Sequence, residues 1–104
     1  MLESYKTSLC YYWQASRHGK KGLADQLRRS VVSVALNLAE GCGANGDREF
    51  RSFLKISVKS QYETVAGMKI AESLYKIDIS LALIQLETVG KMLHGLINSL
   101  KSNN

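Results

Sequence analysis

Four basic residues, Arg48, Arg51, Lys55 and Lys59, recur at offsets of zero, three, seven and eleven. At about 100° per residue they share an arc of about 80° on a helix, opposite Phe50 and Ser57. A row of cations on a solvent-facing helix suits a phosphate backbone, because each phosphate it neutralises adds a salt-dependent increment to affinity. Arg17, Lys20 and Lys21 form a second basic cluster, and Arg28 and Arg29 a third. The expected nucleic-acid contacts are therefore Arg48, Arg51, Lys55 and Lys59, followed by Lys20 and Lys21. No aromatic is read as interleaved with these charges, so contact is expected to be electrostatic and largely independent of sequence. The competing reading is a solvated helix face that keeps the protein dispersed.

Other chemistries find less support. His18 and His94 are the only histidines, neither sits in a Glu-x-x-His pair, and Cys10 and Cys42 lack CxxC spacing, so no metal site or other cofactor is expected. His18 is placed in a loop and His94 on the flank of a helix. No nucleophile elbow is present. Gly41-Cys42-Gly43-Ala44-Asn45-Gly46 lacks the Gly-Lys-Ser/Thr ending of a phosphate-binding loop and reads as a helix–helix turn. Glu40 and Glu63 resemble a carboxylate pair, but hydrogen bonding across a buried seam is the expected role of each. An enzyme is not expected.

The elements that must position these residues are helical. The chain has 104 residues, no proline and eight glycines, with 45% apolar and 22% charged residues, which suits one domain with long helices and argues against disorder. Its net charge of +5 favours anionic partners. Apolar spacing places helices over about 2–16, 23–41, 47–75 and 79–100, a single domain over 1–104. Leu27, Val31, Val34 and Leu38 form the stripe of the second segment, with Gly41 or Gly43 as its left-handed stop. Asp47 and Glu49 are placed to cap the third segment, and Asp78 the fourth. In that fourth segment Ala82, Leu86, Val89, Leu93, Leu96 and Leu100 keep heptad spacing, and Ile79, Leu83, Ile84, Met92 and Ile97 widen the stripe enough to predict self-association. Gly67, inside the third segment, marks a close helix approach. Short loops make an antiparallel up-down four-helix bundle the default.

Two polar rows cross this pattern. Ser33, Asn37 and Glu40 share a face of the second segment, and Ser57, Ser60, Glu63 and Thr64 a face of the third, so the two helices are expected to meet through hydrogen bonds. No apolar run reaches the roughly 18 residues of a membrane span. Met1 to Lys6 lacks a basic n-region and an apolar h-region, so a cytoplasmic protein with reduced thiols is expected.

Arg29-Ser30-Val31-Val32-Ser33-Val34-Ala35-Leu36-Asn37-Leu38-Ala39-Glu40-Gly41 closely resembles the RxAxSIxxNIAEG signature of the four helix bundle protein family, the 23S rRNA intervening-sequence proteins. Phe50, Phe53, Leu54, Ser60 and Glu63 match its second signature, and Gly22 to Arg29 resembles the run into the second helix. The likeness covers about 22–100. Ala35 stands where many members carry proline, and Lys59 where glycine is common. The resemblance implies a left-handed antiparallel four-helix bundle assembled as a barrel-like homopentamer. It also implies kinship with accessory proteins of diversity-generating retroelements, which bind nucleic acid and a reverse transcriptase through a basic surface. No catalytic residue is carried over.

Gln26, Arg29, Asn37, Glu40, Ser60 and Glu63 match family positions and, with Ser33, are read as structural or assembly residues. The expectation is a non-enzymatic cytoplasmic homo-oligomer that binds RNA or DNA on a basic outer surface. The alternative is an interaction scaffold or accessory subunit for a protein such as a reverse transcriptase.

Overall fold

The computed structural model describes residues 21–101, which form three helices: α1 (Lys21–Cys42), α2 (Asp47–Tyr75) and α3 (Ser80–Lys101). There is no strand among the described residues, so the fold is all-α. The helix expected over about 2–16 and the cluster residues Arg17 and Lys20 lie outside the described residues, and Lys21 is the first residue of α1.

Each helix buries one stripe. On α1, Ala24, Leu27, Val31 and Val34 recur at three and four residues and are all buried. On α3 the buried set is Ala82, Leu86, Val89, Leu93 and Ile97, while the expected stripe members Leu96 and Leu100 are half-buried. The middle helix serves both neighbours and buries small or polar residues among its apolar ones: Leu54, Ser57, Ser60, Gln61, Thr64, Gly67, Met68 and Ala71. Contacts run in opposite order along each pair, Leu27 with Gly67 and Gly41 with Phe50, then Gln61 with Leu86 and Arg51 with Leu100. Both pairs are therefore antiparallel.

The core has two apolar halves. Leu27, Met68, Ile77, Ile79 and Leu86 pack around Ala24 and Ala82 at one end, and Leu54, Val31, Val34, Val89, Leu93 and Ile97 pack at the other. Hydrogen-bonded side chains lie between them. Ser57 Oγ donates to the Val34 carbonyl at 2.9 Å, and Gln61 Nε2 donates to the Leu86 carbonyl at 2.7 Å. Thr64 Oγ1 lies 2.8 Å from Ser30 Oγ and 2.9 Å from the Ser60 carbonyl, and its single proton serves one of them at a time. Such bonds are directional, so sliding α1 along α2 would leave buried polar groups unpaired at about 1–3 kcal/mol each. The polar layer thus sets helix register.

Helix ends depart from the sequence reading in three places. Neither Gly41 nor Gly43 is left-handed; among the described glycines only Gly46 has positive φ, at 102°. Gly41 continues α1 and is buried, and a Cβ there would lie 2.8 Å from the Phe50 ring, so close packing is what requires glycine. Asp47 and Glu49 occupy the first turn of α2 and favour its positive end, but no side chain caps that helix by a hydrogen bond. Asp78 sits one residue further out than a cap. Its carboxylate accepts the Ser80 N–H at 3.0 Å and the Ser80 hydroxyl, and these bonds hold its pKa below the ordinary value. That contribution is present above the usual carboxylate pKa and fades as pH falls through the lowered one. At the other end of the same turn Lys76 adopts φ 53°, and its N–H bonds the Glu72 carbonyl at 3.0 Å.

Gly67 is where α1 and α2 approach closely, as expected: a Cβ would fall 2.6 Å from Leu27 Cδ2. Leu27 is itself buried in the core and has little room to yield. Gly67→Val is expected to destabilise the protein by about 1–3 kcal/mol despite the better helix propensity, as read from a urea unfolding midpoint.

Candidate assembly groove and nucleic-acid interface

The two polar rows do meet. Ser33 Oγ and Ser60 Oγ share a hydrogen bond at 2.6 Å, and Asn37 Nδ2 donates to the Ser33 carbonyl at 2.8 Å and to its hydroxyl at 3.1 Å. The carboxylates expected in this seam take no part in its hydrogen bonds. Glu40 and Glu63 are both exposed and make no hydrogen bond to Ser, Asn or Arg among the described residues. Carboxylates stay in water when the short hydroxyl and amide side chains already satisfy one another.

Beside the seam the α1–α2 surface opens into a groove of about 640 Å³. Gln26, Arg29 and Ser33 line one wall, Lys59, Ser60 and Glu63 the other, with Leu23, Ile56 and Ile70 among the apolar lining. Asn37 borders an adjoining hollow with Arg28, Arg29, Val32 and Leu36. Four large apolar side chains here, Val32, Leu36, Ile56 and Ile70, are exposed. Six of the seven residues assigned to structure or assembly thus line one continuous surface, and Glu40 lies exposed on the same helix. Its mixture of apolar side chains and both signs of charge resembles the surface of a protein contact more than a small-molecule pocket.

Such a surface speaks to descent as well as to contact, because the polar residues on it are the ones that carry the signature. A family model for the 23S rRNA-intervening sequence protein matches residues 3–95. The chain belongs to that family. No curated protein and no solved structure matches it significantly.

In this family member the basic arc on α2 is only partly free. Arg48, Lys55 and Lys59 are exposed, and Lys59 also edges the groove. Arg51 is half-buried and reaches the Leu100 carbonyl at 3.5 Å, where a cation complements the negative end of α3. Lys20 lies outside the described residues. One feature of the arc was not legible as a site. Tyr62 projects from it, exposed, and its hydroxyl shares a 2.9 Å hydrogen bond with His94 Nε2 on α3. The α2 spacing contained this signal, since Tyr62 falls within about 60° of Arg51, Lys55 and Lys59, but the partner ring on α3 is visible only in three dimensions.

No group of three or more His, Cys, Asp or Glu side chains among the described residues could hold a metal ion. Cys42 is exposed and free. No helix among the described residues is long and apolar enough to cross a membrane.

Proposed function

We propose that this family member is a non-enzymatic, cytoplasmic homo-oligomer that binds RNA or DNA through its basic outer surface. The observation that carries the proposal is the α2 arc, where Arg48, Lys55 and Lys59 stand exposed on one side of a helix whose other side is core. Fixed cations on a rigid rod present a linear array to phosphates without the cost of ordering a loop. Repetition of that array around an assembly multiplies the contacts available to one strand. The groove between α1 and α2 supports self-association. Pentamer stoichiometry follows from the family resemblance, as does completion of a four-helix bundle by the N-terminal segment.

The direct test is fluorescence anisotropy with labelled RNA and DNA across a salt series. Affinity that falls steeply with salt supports the proposal, and absence of binding at low salt refutes it in favour of the scaffold for a protein such as a reverse transcriptase. Assembly is tested separately by light scattering. Ile56→Glu, in the groove wall, is expected to raise the dissociation constant of the oligomer by more than about tenfold, the loss typical of an interface hot spot. A wild-type protein of monomer mass at micromolar concentration would remove the groove from the account.

A further inference from the structure

Tyr62 is 59% exposed, and a single exposed aromatic needs no explanation. Three further observations change its standing. Its hydroxyl shares the 2.9 Å hydrogen bond with His94 Nε2, which fixes two exposed rings across two helices. The ring centroids lie 5.9 Å apart at an interplanar angle of 48°, so the pair is tilted rather than closed face to face. Exposed cations also flank the pair in register: Lys55 and Lys69 on α2 and Lys91 on α3. On α2 the two lysines fall within about 20° of Tyr62, two turns to either side, and Lys91 lies one turn from His94. Glu87 lies two turns from His94 on the same side of α3, and Glu63, next to Tyr62 in sequence, lines the α1 groove together with Lys59.

We infer that Tyr62 and His94 form a stacking platform for an unpaired base of single-stranded nucleic acid, with the surrounding lysines holding the flanking phosphates. The inference rests on the nucleic-acid reading above and narrows it from any polyanion to strands with free base faces. It also revises the expectation of purely electrostatic contact, because an aromatic does stand among the charges. A ring already held by a hydrogen bond loses little freedom when a base lands on it. Every base offers a π-face, so the platform is tolerant of sequence. Paired bases of a duplex are stacked on their neighbours and unavailable, so single strands are preferred.

The test compares labelled RNA and DNA oligomers of about 12 nucleotides with an abasic strand of equal length and with a blunt duplex. Wild-type protein is expected to bind the base-bearing single strands roughly tenfold more tightly than the abasic strand. Tyr62→Ser abolishes that preference and leaves the salt dependence unchanged, since no cation is lost; Tyr62→Phe, which keeps the ring, retains most of it. Tyr62 lies outside the core, and circular dichroism and the melting temperature of each variant check that the fold is kept. Equal affinity for base-bearing and abasic strands, or indifference to Tyr62→Ser, overturns the platform while leaving the electrostatic reading intact. Failure of every strand to bind at low salt overturns both.

Discussion

Leu54→Ala is expected to lower stability by about 2–5 kcal/mol, the cost of emptying a fully enclosed leucine site. Leu54 has no exposed surface and packs among Val31, Val34, Val89, Leu93 and Ile97, so it joins all three described helices in one half of the core. Its neighbours are themselves buried and cannot collapse freely into the space, which places the loss at the upper part of that range. At about 4–8 °C per kcal/mol for a domain of this size, the melting temperature should fall by on the order of 10–30 °C. Leu74→Ala on the same helix provides the contrast. Leu74 is 63% exposed, and its truncation should change stability by about 0.5 kcal/mol or less. Similar losses for the two variants would mean that the described core is not where α2 is held, whereas a large loss at Leu74 alone would place a subunit contact there.

That contrast between a buried and an exposed leucine on one helix follows from helical spacing alone. Periodicity identifies the face of α2 because burial follows the helical repeat: Phe50, Phe53, Leu54, Ser57, Thr64, Met68 and Ala71 share one broad side by spacing, and all are buried except the half-buried Phe50 and Phe53. The pairing of the polar rows was readable for the same reason, since Ser33 and Ser60 lie on faces that had to meet. Glu40 and Glu63 share those spacings and yet point to water. A difference of one residue shifts a side chain by about 100°, and at the margin of a stripe the desolvation cost of the group decides its fate. The positive φ expected at Gly41 or Gly43 falls at Gly46 instead, because a sequence shows that glycine is needed without showing whether space, as at Gly41, or a positive φ requires it. The groove and the Tyr62–His94 pair depend on the depth and angle at which two helices meet, which no single-helix pattern encodes.

The second large effect concerns the basic arc. Arg48→Glu combined with Lys55→Glu is expected to weaken single-stranded nucleic-acid binding on the order of 50-fold at 50 mM salt and about 10-fold at 200 mM. Counterion release sets these sizes: two lost phosphate contacts lower the slope of log affinity against log salt by about 1.4, and the wild type and the double variant converge near 1 M salt. These two residues are chosen because each is exposed and neither lines the α1–α2 groove, so assembly should persist. Lys59 is left in place because it edges that groove, and Arg51 because its contact with the Leu100 carbonyl ties α2 to α3. The salt slope matters more than the affinity alone. A variant that binds weakly with an unchanged slope has lost something other than phosphate contacts, whereas unchanged affinity and slope would show that this face of α2 is only solvated. A reduced slope with an intact oligomer mass would place phosphates along α2 and leave the groove free for the neighbouring subunit.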